Sequence, residues 1–97
     1  MTIRVKLFGF LRNLAGGAEL TLQLDTEDES TIKAVIHLLG EKLGKQFERH
    51  VLDPALKSAS PQILILKNDV EIGALQGLTT KIEDGDAIVF LPVVHGG

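Results

Sequence analysis

Apolar and polar residues alternate at the beginning of the chain. One face of the segment carries Ile3, Val5 and Leu7, and the other carries Arg4 and Lys6. This period of two predicts a half-buried strand over residues 2–11. A second alternating run follows, with Leu20, Leu22 and Leu24 on its apolar face. The intervening residues 12–17 end in two glycines and predict a turn, so we expect an opening hairpin with a long loop.

Two aromatic residues interrupt the polar face of the first strand. Phe8 and Phe10 would lie opposite Ile3 and Leu7 if the alternation continued to residue 11. They would then be either covered by a loop or exposed to a partner.

A helical repeat begins after the acidic run Asp25 to Glu29. The apolar positions Ile32, Val35, Ile36, Leu39 and Leu43 fall on one face of a helix. Ser30 or Thr31 is the expected N-cap, and Gly44 the expected end. The preceding carboxylates are better interpreted as favourable partners of the helix dipole than as a metal site. Gly40, inside the helix, either permits a close approach or is merely tolerated.

The region from residue 45 to residue 61 is ambiguous. Phe47, Val51 and Leu52 either extend the helix or form a second short turn, and prolines bracket a loop over 55–60.

The C-terminal third of the chain predicts more strands. Residues 63–66 are apolar on both faces, as in the middle of a covered sheet. Residues 71–78 predict a short edge strand, and an acidic turn at 83–86 leads into a last apolar strand over 87–91. We interpret the acidic turn as turn chemistry with solvation rather than a cation site.

This order of elements predicts an α+β fold. It is consistent with a β-grasp domain, in which one main helix covers a mixed sheet and the first and last strands lie side by side and parallel at its centre. We expect a β-grasp domain over residues 1–91 and a flexible tail over residues 92–97.

The amino-acid composition limits the number of domains, the chemistry and the partners that the chain can have. Ninety-seven residues, 44% hydrophobic and 24% charged, suit one small domain. Without cysteine, the chain has no disulfide or thiolate chemistry. A net charge of −3, with scattered Lys and Arg, argues against direct nucleic-acid binding. No apolar run reaches the roughly 20 residues that span a bilayer, and the start does not resemble a signal peptide. We expect a cytoplasmic protein without membrane contact.

The last two residues, Gly96 and Gly97, are the candidate reactive group. Without a Cβ, they permit close approach by another protein's atoms. Their α-carboxylate is ionised at neutral pH and is a poor electrophile, so its chemistry requires an activating partner. Alternatively, the diglycine is a frayed end with no role.

The three histidines offer no metal site. His37 and His50 have no partner at metal-ligand spacing, and no metal is expected. His95, beside the glycines, either contacts a partner enzyme or is only solvated.

A docking surface is also predicted. Its expected members, on the sheet face away from the helix, are Phe8, Phe10, Leu64, Leu66 and Phe90. Exposed apolar patches of this kind often mark protein interfaces. In the alternative interpretation, residues 45–61 fold over this face and bury it.

Three stretches of the chain resemble the ubiquitin-like sulfur-carrier and modifier superfamily, which includes MoaD, ThiS, the small archaeal modifier proteins and the ubiquitin-related modifiers. They are residues 3–14, residues 31–39 and, most specifically, residues 83–97 with their Asp-Gly-Asp turn, apolar strand and final Gly-Gly.

The resemblance implies that a ubiquitin-activating-type enzyme uses ATP to adenylate Gly97. Gly96, which also lacks a side chain, precedes it. A sulfur donor can then form a thiocarboxylate for molybdopterin synthesis or tRNA thiolation, or the acyl group can pass to a lysine. The implied partners are that enzyme and either the large subunit of molybdopterin synthase or lysine-bearing target proteins. The chain itself would bind no cofactor and catalyse nothing. A β-grasp interaction module with an incidental diglycine is the alternative function.

Overall fold

The computed structural model describes residues 1–25, 30–55 and 57–93. The strands are β1 (Thr2–Leu7), β2 (Glu19–Gln23), β3 (Leu52–Asp53), β4 (Ser58–Ala59), β5 (Ile63–Lys67), β6 (Val70–Glu71) and β7 (Ala87–Pro92). The helices are α1 (Phe10–Ala15), α2 (Ile32–Leu43) and α3 (Lys45–Val51), and two 3-10 turns cover Ile72–Ala74 and Gly77–Thr79. Within these ranges no helix is long and apolar enough to cross a membrane.

The main sheet has the predicted β-grasp arrangement. Its strand order is β2-β1-β7-β5-β6, and β3 and β4 form a separate small ribbon. The first and last strands, β1 and β7, are parallel neighbours, whereas the other pairs of the sheet are antiparallel. The chain passes through α2 between these two parallel strands, as such a pair requires. The last strand therefore lies at the centre of the sheet.

Helix α2 covers the inner face of this sheet, as the apolar repeat predicts. The Thr31 hydroxyl accepts a hydrogen bond from the Ala34 amide at 3.2 Å and caps the helix, which ends at Gly44 with φ of 110°. Its buried residues Val35, Ile36 and Leu39 join the core. The acidic run lies outside the described residues except for Asp25.

The prediction of a strand over residues 2–11 is wrong beyond Leu7. The backbone turns at Gly9, and residues 10–15 form helix α1 within the loop of the predicted hairpin. Leu11 is buried in the core, and its packing stabilises a helix too short to persist alone. Phe8 and Phe10 therefore do not continue the alternation of β1.

The segment after α2 forms a separate helix on the inner side of the sheet. Phe47 of α3 is buried against Phe90 of β7, with ring centroids 5.4 Å apart at 75°. Because Phe90 belongs to the core beneath α2, α3 does not cover the outer face, and that alternative is wrong for this helix. Gly40 permits a close approach between α2 and α3, because a Cβ there would lie 2.5 Å from Cγ of Glu48 in α3.

The acidic turn before β7 has the structural role predicted for it. The carboxylate of Asp86, almost buried, accepts hydrogen bonds from the Glu83 amide at 2.7 Å and from the Asn68 side chain at 2.8 Å. Asp84 accepts one from the Thr2 amide at 2.7 Å. These bonds tie the start of β7 to the neighbouring strands.

Candidate functional site

The last strand carries the chain to the edge of the described structure. β7 extends to Pro92, one residue into the predicted tail segment, because Pro92 pairs with Ile63 of β5. The Val93 amide then donates to the Gln62 carbonyl at 2.8 Å. The backbone is thus anchored up to the residue before Val94. His95, Gly96 and Gly97 lie outside the described residues, so their predicted roles stay predictions.

The start of α1 packs against the end of β7. Gly9 has φ of 59° and ψ of −139°, and a Cβ there would lie 3.1 Å from Cγ of Pro92. Just before it, the Phe8 amide donates to the Phe90 carbonyl at 3.2 Å. Gly9 therefore permits a close contact at the base of the predicted tail.

The two aromatic residues on either side of Gly9 are exposed, as a docking role requires. Phe8 is 45% exposed and Phe10 44%. The Phe10 ring contacts the His50 ring on α3 in a T-shaped arrangement, with centroids 4.8 Å apart. Because α3 lies on the inner side of the sheet, the expectation that Phe10 lies on the outer face is wrong. Both phenylalanines flank the exit of the last strand.

The expectation that Phe90 lies on the outer face is wrong. Phe90 is fully buried, and its cross-strand partner is the buried Ile65. Side chains alternate along a strand, so the outward residues of β7 next to Phe90 are Val89 and Leu91. The run Ala87 to Leu91 is apolar throughout, and its pattern alone does not distinguish the two faces.

An apolar stripe does exist on the outer face, with a different composition. Leu64 pairs with Leu91 and Leu66 with Val89, and all four side chains are half-buried. We call Leu64, Leu66, Val89 and Leu91 the outer stripe. It includes both predicted leucines and two residues that the sequence reasoning missed. Once Ile63 and Phe90 are assigned to the core, period two identifies the outward residues of both strands.

Basic side chains border the outer stripe on the β1 side. Arg4 and Lys6 are exposed, and Lys6 is the cross-strand neighbour of Val89. Their charges favour a partner that carries acidic groups beside an apolar contact.

The histidines in the described ranges have structural contacts. His37 on α2 contacts Glu48 on α3, with Nδ1 and Oε1 2.5 Å apart, and His50 contacts Phe10. Among the described residues, no cluster of His, Asp or Glu could hold a metal ion.

A mixed sheet with α2 across it and a central C-terminal strand defines a ubiquitin-like protein of the β-grasp fold. The ThiS family model matches residues 5–97, and the chain belongs to the ThiS family.

Known proteins similar to this chain include small archaeal modifier proteins and Urm1. Small archaeal modifier protein 3 of Haloferax volcanii is 29% identical over 97 residues, with both chains fully covered. The solution structure of small archaeal modifier protein 1 from Methanosarcina acetivorans is 34% identical, with a TM-score of 0.77 and coverage of 99% of this chain and 96% of that one. Urm1 from Trypanosoma brucei is 25% identical, with a TM-score of 0.80 and coverage of 99% and 95%. The chain is accordingly a ubiquitin-like small modifier or sulfur carrier, a protein co-substrate rather than a catalyst.

Proposed function

We propose that the α-carboxylate of Gly97 is the group on which this carrier chemistry takes place. The carboxylate attacks the α-phosphorus of ATP in the active site of a ubiquitin-activating-type enzyme, which releases pyrophosphate and leaves an acyl-adenylate. Hydrosulfide then displaces AMP and forms a thiocarboxylate, or a lysine amine displaces AMP and forms an isopeptide bond. Glycine at both final positions leaves the carbonyl unshielded.

The family match supports this assignment, because it extends through Gly97 itself. The geometry at the end of β7 supports it as well. Two backbone constraints, the pairing of Pro92 with Ile63 and the Val93 hydrogen bond, hold the base of the tail at the centre of the sheet. The tail therefore begins at a fixed position relative to the domain that the enzyme binds.

The activating enzyme docks, in this proposal, on the outer stripe and on the exposed rings of Phe8 and Phe10. These groups lie along and beside the strand that carries the tail, so one partner surface can contact both the domain and its terminus. Arg4 and Lys6 would meet acidic residues of the enzyme. His95 would lie within this contact.

The nucleophile that attacks the acyl-adenylate determines the final acceptor. A thiocarboxylate would supply sulfur for molybdopterin synthesis, with the chain as partner of the synthase large subunit, or for tRNA thiolation. Transfer to lysine would make the chain a protein modifier, as the name of the Haloferax relative indicates for that protein. Both routes begin with the same adenylate.

The adenylation step is directly measurable by exchange of labelled pyrophosphate into ATP, with the activating enzyme from the same organism. The wild-type chain should support exchange, and a variant lacking Gly97 should not. If the chain were only an interaction module, removing Gly97 would leave binding of its partners unchanged, and no exchange would depend on the chain. Exchange that is equal with and without Gly97 contradicts the proposal.

A further inference from the structure

Strand β2 forms one edge of the main sheet, and its outer side carries backbone groups that no other described residue pairs with. The Leu24 amide donates to the Met1 carbonyl at 2.8 Å, and the Leu7 amide donates to the Ala18 carbonyl at 2.8 Å. In an antiparallel pair, hydrogen-bonded residues alternate with residues that point away. Leu20 and Leu22 thus bond to β1, whereas the amides and carbonyls of Glu19, Thr21 and Gln23 point outward.

Within the described residues, this edge has few of the features that usually prevent strand addition, and Glu19 is the one charged residue of β2. Edge strands are commonly interrupted by Pro, Lys or a bulge, or are very short. β2 contains neither Pro nor Lys, and its five residues pair with β1 in unbroken register. Across the sheet, the opposite edge strand β6 has only two residues. The β2 edge is therefore the longer and more regular of the two, and no strand among the described residues pairs with its outer side.

We propose that the β2 edge pairs with the β2 edge of a second copy of this chain. The strands run antiparallel about a two-fold axis through Thr21, so that Thr21 faces the partner's Thr21 and Glu19 faces the partner's Gln23. Each of these facing pairs uses outward-pointing backbone groups and exchanges two hydrogen bonds. The two five-stranded sheets then form one continuous sheet.

The side chains of β2 are self-complementary in this register. The Gln23 carbonyl oxygen already accepts the Thr2 hydroxyl at 3.1 Å, which leaves its amide NH2 to donate to the partner's Glu19. The central pair is Thr with Thr, a favourable cross-strand combination. Leu20 faces the partner's Leu22 on the inner side, so the apolar row continues. No like charges oppose each other, which favours a second copy over an arbitrary foreign strand.

A groove beside this edge faces the second copy of the chain. It lies between β2 and α2 and is lined by Leu22, Leu38, Glu41 and Lys42 among others. A contact through five residues is small, and we expect a weak, concentration-dependent dimer.

Pairing at β2 leaves the carrier function intact. Because β1 separates β2 from β7, the outer stripe and the exit of β7 remain accessible. The two β7 strands run in opposite directions in such a dimer, so the two tails leave from opposite ends of the continuous sheet.

Sedimentation equilibrium over a range up to millimolar chain concentration tests the proposal. Wild-type protein should show a monomer–dimer equilibrium. Thr21→Lys and Thr21→Glu each place like charges at the two-fold axis and should raise the dimer Kd at least about tenfold. An equimolar mixture of the two variants should restore dimers, because opposite charges then face each other. Gln76→Lys, at an exposed site away from the edge, should dimerise like the wild type.

Thr21 is exposed, so each variant should keep the wild-type circular dichroism spectrum. Thr21 faces Arg4 of β1, so Thr21→Lys should lower the unfolding midpoint slightly and Thr21→Glu should not. A wild-type chain that stays monomeric throughout overturns the proposal. So does a Kd that neither Thr21 substitution changes, or a mixture that dimerises no better than its components. The rescue in the mixture separates edge pairing from a general loss of folding, which opposite charges would not repair.

Discussion

Gly9 shows at the scale of one residue how the body of the protein positions its last strand. Its φ of 59° with ψ of −139° is a conformation that side chains with a Cβ rarely adopt. The same missing Cβ lets Pro92 approach within van der Waals contact. A single glycine thus ends β1, starts α1 and sets the position of the β7 terminus.

Gly9→Ala should therefore lower the free energy of unfolding by about 1–3 kcal/mol, through backbone strain and the contact with Pro92. Gly17→Ala is the matched control, because no atom lies within 4 Å of a Cβ at that position. Urea unfolding of both variants measures the difference. Equal stability of the Gly9→Ala and Gly17→Ala variants would show that the fold does not require glycine at position 9.

At the scale of elements, an aromatic contact holds α3 against the sheet, and Val51 of the same helix is also buried in the core. Phe47 is fully buried and packs edge-on against Phe90, whereas Phe10 of α1 is 44% exposed. Burial of the ring, rather than the helix propensity of a seven-residue segment, keeps α3 in place.

Phe47→Ala should cost about 3–5 kcal/mol of stability, as expected for a large cavity in the core. Phe10→Ala removes the same atoms from a half-exposed site and should cost about 1 kcal/mol or less. Chemical denaturation monitored by far-UV circular dichroism compares the two. A Phe47 variant as stable as the Phe10 variant would contradict the assignment of α3 to the core.

The elements also show what the sequence pattern can predict. Strict alternation predicted β1 as far as Leu7 and β2, and the 3.6-residue period predicted α2. Of the two N-cap candidates, Ser30 and Thr31, the structure uses Thr31. The short helices α1 and α3 carry too few turns to set a period, and tertiary packing of residues such as Leu11 stabilises them. Phe90 was misplaced because a strand that is apolar on both sides does not reveal which face is covered.

At the scale of the whole molecule, the outer stripe is the surface that we propose for docking of a partner. Its four half-buried residues lie on the two strands next to the tail exit, with Arg4 and Lys6 along one side. The inner face is filled by the core and by α2, which is why we propose the outer face for recognition by a partner.

Leu91→Ser should weaken productive docking of the activating enzyme and raise its KM for this protein about tenfold, which corresponds to about 1.4 kcal/mol. Leu75→Ser is the control, since Leu75 is an exposed leucine outside the outer stripe. Pyrophosphate exchange at varied chain concentration gives both KM values. Equal KM values for the two variants would remove the outer stripe from the docking surface.

The most direct test of the central claim is the intact mass of the chain after incubation with ATP, the activating enzyme and a sulfur donor. The predicted result is a gain of about 16 Da, from exchange of one oxygen for sulfur, confined to a C-terminal peptide that includes Gly97. A variant lacking Gly97 should gain nothing. An unchanged mass for the wild-type chain, under conditions in which the same enzyme thiocarboxylates a relative, would contradict the claim that this protein carries sulfur at Gly97.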